Sequence, residues 1–466
     1  MSGTIINIDA VLRKILVESQ ELICPDDLVE RSVNVDLDFA FGPIRKVYTV
    51  HGLRRVGKTY LLHQLRKMVI GLGIEASRTY YINMEDERIP RKTRVLTRLI
   101  PLIREEFGVK DTLFLFIDEI HKIPKWSAWA RRINDSKKAT LFISGSTSKL
   151  SAEDIPRELR GRSYPLRLYP LTFVEFLRFR GVKLDLRYID FSDERLSELL
   201  HYLREYIEFG GMPEIVRVEG KHRKMVLAHE YLKTIINRDI CDQFDIDNKP
   251  ALEDLIKLLI NSKEFSISKA YNVLKSIGHR VGKETVGKYV GYAEKVFFVE
   301  QVTILSRTIK DQLMYPRKIY VADNIFITSI ALNYDFGRLL ENMVYMELRR
   351  RTYSDPAISI HYWKSRNKGE VDFVVIKGLK PIALIQVAWS LEDENVKKRE
   401  VNSLIKACRE FGLNRGVIIT YREEGKIRVN GRIIEIIPVW KWLLGLTGPT
   451  LGKPTEKQRT DRQTQR

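Results

Sequence analysis

The sequence predicts an α/β protein built on a parallel sheet, and three observations lead there. Short apolar runs at residues 46–51 (KVYTVH), 112–117 (TLFLFI) and 140–143 (TLFI) have the unbroken hydrophobicity of strands buried on both faces. After the first of them, Leu61, Leu62, Leu65, Met68 and Val69 recur at helical spacing, which makes a strand, loop, helix unit. The chain has 466 residues, too many for one hydrophobic core, so roughly three or four compact units are expected.

Composition narrows the class. Hydrophobic residues make up 44% of the chain, enough for packed interiors, and 79 basic against 60 acidic residues leave a net charge of +19. Such a field draws polyanions, nucleic acid among them; a basic surface serving solubility or heat resistance is the alternative. Cys24, Cys241 and Cys408 are far apart and lack a histidine set at zinc-ligand spacing, which argues against a disulfide framework and a structural zinc. The first residues lack the pattern of an export signal and no apolar run approaches the ~18 residues of a membrane span, so a cytoplasmic protein without a membrane partner is expected.

Residues 52–59 read GLRRVGKT, a full match to G-x-x-x-x-G-K-[ST] in the required context. In such a P-loop the backbone of Gly52, Leu53, Arg54, Arg55, Val56 and Gly57 turns its amides toward phosphate oxygens beside a helix N-terminus. Lys58 reaches the β and γ phosphates, and Thr59 offers a hydroxyl to Mg2+, a hard cation that prefers oxygen. The second apolar run ends in Asp118-Glu119, where the first acid would hold the magnesium and the second polarise the attacking water. The third leads into Ser144-Gly145-Ser146, either a contact between water and γ-phosphate or a plain turn. Farther on, Arg160 and Arg162 are either surface arginines or a guanidinium aimed at the nucleotide of a neighbouring subunit.

With these residues the chain resembles the AAA+-like ATPases of archaea and bacteria related to the signal-transducing STAND group. The resemblance rests on GLRRVGKT, FIDEI, SGS, the stretch LRGRSYPLRLYPLTFVEF at 159–176 and GGMPE at 210–214. It implies a P-loop NTPase core at 40–182 after an N-terminal segment at 1–39, with a helical lid at 183–248. It implies ATP as the nucleotide, and it places Gly211 and Pro213 of the lid near the base; a helix-ending Gly-Gly before proline is the alternative.

Three amphipathic helices, at 252–260, 268–276 behind a serine cap and 283–296, precede the strand-like FFVEQVTIL. They suggest a winged helix at 249–316, whose third helix would bring His279, Arg280, Lys283 and Lys288 to double-stranded DNA; a regulatory arm with solvated charges is the other reading, and Glu284 and Glu294 dilute the basic face. Residues 317–446 then carry a helix at 338–351 and strands at 359–363, 370–376 and 383–389. YWKSRNKGEVDFVV followed by IALIQVAW resembles the restriction-endonuclease-like α/β domain often joined to these ATPases. Asp372 matches its first acid and Glu341 an added helical acid, but Gln386 and Ala388 replace the acid and lysine of the next strand. That loss puts cleavage in doubt, with Lys364 as a nearby substitute lysine. Residues 447–466 form an expected disordered basic tail. The expected sum is a Mg2+- and ATP-dependent switch or motor acting on DNA, on a protein client or as a homo-oligomer; a DNA nuclease under ATP control and an adapter without hydrolysis are the rivals.

Overall fold

Continuous apolar runs become the inner strands of a parallel sheet. The computed structural model describes residues 7–145, 158–182, 189, 192–306, 308–330, 335–365 and 369–449, in two compact units, Met1–Tyr169 and Pro170–Arg466. Ser146 and nearly all of the basic tail lie outside the described residues. In the first unit, α1 (Ile8–Glu21), β1 (Val47–His51), α2 (Lys58–Gly71), β2 (Thr79–Asn83), α3 (Thr93–Phe107), β3 (Leu113–Asp118), α4 (Trp126–Ser136), β4 (Ala139–Ser144) and β5 (Ser163–Arg167) follow in order.

The strands lie in the order β2-β3-β4-β1-β5, all parallel, and β1, β3 and β4 are buried at every residue. Because β4 is inserted between β1 and β3, the loops after His51, Asp118 and Ser144 leave the same edge side by side. In open α/β sheets that carboxyl edge is where ligands bind. The N-terminal segment belongs to this core: Leu12, Ile15 and Leu16 form one stripe of α1 and pack with Leu96 and Leu99 of α3 over Ile117 and Ile143. Burial of each is worth about 2 kcal/mol.

The second unit starts with α5 (Phe173–Phe179), α6 (Asp193–Phe209), α7 (Pro213–Arg217) and α8 (Lys221–Thr234). There follow α9 (Lys249–Asn261), β6 (Glu264–Phe265), α10 (Ile267–Ser276), α11 (Lys283–Lys295), β7 (Val299–Val302) and β8 (Arg317–Val321). The three strands form an antiparallel sheet in the order β6-β8-β7. The division expected between residues 316 and 317 therefore falls where β8 begins, and this strand completes the sheet of the preceding module. Two details differ from the sequence reading. The strand is confined to Val299–Val302, since Phe297 turns the chain with φ 60°, and α10 opens one residue earlier, at Ile267, with no side-chain cap.

Then come α12 (Asn324–Ile330), α13 (Phe336–Thr352), β9 (Ile358–Lys364), β10 (Glu370–Lys377), β11 (Lys380–Ala388), α14 (Glu394–Phe411), β12 (Arg415–Thr420), β13 (Gly425–Val429), β14 (Arg432–Pro438) and α15 (Val439–Leu443). Their mixed sheet runs β13-β14-β12-β11-β10-β9: β9, β10 and β11 form an antiparallel meander, β11, β12 and β14 are parallel, and β13 closes the edge antiparallel to β14. Leu404, Ile405 and Cys408 of α14 cover it through Val374, Leu384 and Ile418.

Candidate nucleotide-binding site

Gly52 leaves β1 with φ 150°, and a Cβ there would stand 2.2 Å from the Leu168 carbonyl oxygen. Leu53 and Val56 turn inward and are buried, while Arg55 takes the left-handed region at φ 65°. Gly57, at φ 96°, is the N-cap of α2, whose first residue is Lys58. The loop is thus held from beneath by apolar side chains, and the N-terminus of a 14-residue helix opens beside it. Lys58 Nζ donates to the Gly52 and Leu53 carbonyls, 3.1 Å each, so it curls over the loop it belongs to.

The Asp118 carboxylate, buried at the end of β3, collects four donors. Thr59 Oγ1 donates to Oδ2 at 2.6 Å and the Tyr81 hydroxyl to the same oxygen at 3.1 Å. The Glu119 amide, at 3.1 Å, and the Ser144 hydroxyl donate to Oδ1. Burial and then the Asp118 charge hold the Tyr81 phenol far above its usual range, and the His63 ring lies against the Tyr81 ring at 4.1 Å between centroids. One hydroxyl and one carboxylate suit Mg2+, which is ordinarily held by one or two carboxylates together with phosphate oxygens. No cluster of three or more His, Cys, Asp or Glu suited to a metal occurs among the described residues.

Glu119 sits at φ 51°, which turns its half-buried side chain away from the line of β3. Burial raises its carboxyl above the usual range, Lys58 opposes this and Asp118 adds to it. His121 Nδ1 stands 3.2 Å from Glu119 Oε2. A carboxyl so raised moves toward the pH at which a general base works best.

Sequence reasoning missed two residues of this site. Arg31, in the segment before β1, is buried and donates from Nη1 to the Val56 carbonyl at 2.8 Å and from Nη2 to the Tyr169 carbonyl at 2.7 Å. Its backbone is tied to Gln64 of α2 in both directions, 2.8 Å each. Tyr81 is the other; it stands in the middle of β2, the edge strand, and a tyrosine inside the short run TYYIN was the available signal. Among the predicted residues, Ser144 joins the Asp118 cluster directly. Arg162 lies outside it in a surface ion pair with Asp135, 2.6 Å.

Gly211 and Pro213 lie in the second unit. Gly210 caps α6, Pro213 opens α7, and the Gly211 amide donates to Asp323 Oδ2 at 2.7 Å. Of the proposed DNA contacts, His279 Nε2 is 2.8 Å from Asp254 Oδ2 and Lys288 pairs with Glu284 at 2.8 Å, while Arg280 and Lys283 are exposed. Glu341, Asp372 and Gln386 do come together: the Asp372 amide donates to Gln386 Oε1 at 3.1 Å, and both acids meet the Nζ of Lys318. Lys364, the expected substitute, pairs with Glu264 and Glu370. A lysine inside the apolar run RKIYV was the sequence signal for Lys318.

Residues 44–177 match the family described as AAA domain, and residues 200–333 and 336–442 match two domains of unknown function (DUF8612 and DUF4143). The uncharacterized protein MJ1544 of Methanocaldococcus jannaschii is 36% identical over 423 residues, covering 88% of this chain and 91% of that protein. The chain belongs to its family. An uncharacterized Haemophilus influenzae protein is 26% identical over 405 residues, 85% of this chain and 94% of its own. Among solved structures, the Walker-type ATPase PABY2304 of Pyrococcus abyssi is similar with a TM-score of 0.41 at 13% identity, over 70% of this chain and 96% of that one. The Orc1 protein of Aeropyrum pernix in complex with DNA gives 0.29 at 15%, over 72% and 95%. The first unit of this family member thus carries a AAA-type ATPase domain on a P-loop α/β sheet. No helix among the described residues is long and apolar enough to cross a membrane.

Proposed function

We propose that the chain is a magnesium-dependent ATPase whose nucleotide state drives a switch or motor working on double-stranded DNA. The observation that carries the reading is the Asp118 carboxylate bonded at 2.6 Å to the last residue of the phosphate loop, with Glu119 beside it. Lys58 exchanges the Gly52 and Leu53 carbonyls for the β and γ phosphates, and the loop amides take the phosphate oxygens. Thr59 and Asp118 hold Mg2+, which when bound neutralises phosphate charge. Glu119 accepts the proton of the attacking water on its raised carboxylate, oriented by His121. Ser144 and Tyr81 keep the Asp118 carboxylate in place.

The DNA part of the proposal draws support from the second unit. Three helices with β6 after the first and an antiparallel order β6-β8-β7 support a winged-helix reading, in which α11 would be the groove-reading helix. Lys283 at its start and Arg280 in the connection before it are then the working contacts, and Lys288 is paired with Glu284.

Phosphate release from ATP with and without Mg2+ and double-stranded DNA tests the proposal. The wild type is expected to turn over ATP; Lys58→Ala loses binding, and Glu119→Gln keeps binding but loses turnover by about 100-fold or more. Tight ATP binding by the wild type with no phosphate release under any condition would replace the ATPase by a switch-only adapter.

A further inference from the structure

Apart from the nucleotide site, the second unit buries an ammonium among three carboxylates. Lys318, on β8, is 5% exposed. Its Nζ lies 2.7 Å from Asp372 Oδ1, 2.8 Å from Glu370 Oε1 and 3.1 Å from Glu341 Oε1. Glu370 and Asp372 come from β10, and Glu341 comes from α13. An ammonium has three N–H donors, and here each has its own carboxylate.

The surroundings fix the acids. Asp372 Oδ2 accepts the Val387 amide at 2.9 Å, the Tyr320 hydroxyl donates to Glu341 Oε1 at 2.7 Å, and Lys364 stands 3.5 Å from Glu370 Oε2 at the rim. Burial works against the charge of Lys318, yet Asp372 first, then Tyr320, Glu341 and Glu370, hold its pKa well above the ordinary value. Three carboxylates at hydrogen-bond distance favour the charged ammonium.

Three carboxylates converging from a strand and a helix are hard oxygen donors of the kind a divalent cation takes, but gathered around the ammonium they do not form a group arranged to hold a metal. In the restriction-endonuclease-like pattern that the sequence resembles, the position of a further acid holds Gln386, an amide that brings no charge. Remove the ammonium and three acids remain, with Lys364 at the edge beside Glu370 and with Arg338 and Arg399 acting electrostatically on Glu341 and Asp372. With it in place, a divalent ion would have to enter against a positive charge 2.7–3.1 Å from every ligand.

We propose that Lys318 is the resident cation of this site: its ammonium stands in the place of a divalent metal, closes the C-terminal domain to metal-dependent DNA cleavage, and fastens the three-stranded sheet to the six-stranded one. The inference stands on the second unit alone and survives if the ATPase reading fails. The side chain spans two sheets, since β8 pairs with β6 and β7 while its Nζ reaches β10. The lysine absent from the expected strand position, where Ala388 stands, has no counterpart at Lys364; it is supplied from another sheet, aimed at the acids and not past them toward a substrate.

Mn2+ is the probe, applied to the full chain without nucleotide, and the readout is the part of any effect that Asp372→Asn removes, which sets aside ions held near Thr59. The wild type is expected to show no Asp372-dependent Mn2+ binding by calorimetry, no Asp372-dependent rise in melting temperature with Mn2+, and no cleavage of double-stranded DNA. Lys318→Ala is expected to melt lower and to gain an Asp372-dependent Mn2+ site, tighter than wild type by on the order of 10-fold or more, with Mn2+ restoring much of the lost melting temperature. Should Lys318→Ala fail to fold without metal, refolding in Mn2+ and not in its absence is the expected result. The proposal is overturned if the wild type binds Mn2+ or cuts DNA in an Asp372-dependent way, or if Lys318→Ala gains nothing from Mn2+, folded or not.

Discussion

Asp323 accepts the Gly211 amide at Oδ2, 2.7 Å, and the Ile325 amide at Oδ1, 3.0 Å. A Cβ on Gly210 would stand 1.7 Å from Asp323 Oδ1, and one on Gly211 2.5 Å from the Leu171 carbonyl oxygen. The two glycines of GGMPE thus have a packing reason apart from any contact with a nucleotide. Burial pushes the Asp323 carboxyl up to about 7, against the pull of the two amides and Arg350. The folded pKa lies above the unfolded value of about 3.9, so the native state holds the proton more tightly. The stability this confers is full below about pH 4 and is lost as pH rises through about 7, a span worth on the order of 4 kcal/mol. Thermal melts are expected to show the second unit less stable at pH 8 than at pH 5, with a flatter dependence in Asp323→Asn. Asp372, raised mainly by its burial, contributes the same sign in both proteins and leaves that difference intact.

At the level of elements, the phosphate loop was legible because its constraints are local. Two glycines, a lysine and a threonine at fixed spacing after an apolar strand allow few other structures. The inner strands were legible for a similar reason: burial on both faces leaves no polar alternation. Strand order is a different matter, because it depends on contacts between distant segments. Only when β4 lies between β1 and β3 does the Ser144 hydroxyl meet Asp118, so the sequence offered a turn or a phosphate contact and the fold added a third role. Arg31 was illegible altogether, a single arginine in a stretch with no period. It ties that stretch to the loop through Val56 and to the end of β5 through Tyr169. Arg31→Met keeps much of the packing and removes both bonds, which is expected to cost the first unit about 2 kcal/mol. Faster hydrogen exchange at the amides of residues 56–59 and weaker ATP binding would accompany it; unchanged exchange would mean that the loop is held by Leu53 and Val56 alone.

For the whole molecule, the net charge of +19 announces attraction to polyanions without saying where it acts. Local pairing decides which charges remain available. Lys288 is offset by Glu284 and His279 is held by Asp254, whereas Arg280, in the connection before α11, and Lys283, its first residue, stand exposed. If DNA binding were a bulk effect of all basic residues, removing two of them would scarcely change its salt dependence. If α11 is the contact, each phosphate-bound charge contributes about 0.9 to the slope of log K against log salt. Arg280→Ala with Lys283→Ala is therefore expected to weaken binding to double-stranded DNA and to lower that slope by about 2, with the fold intact because both side chains are solvated. Lys288→Ala is expected to change the slope by less, since its charge is already balanced. Equal effects of all three substitutions, or none, would move the DNA-binding surface away from α11 and leave the three-helix module as a regulatory arm.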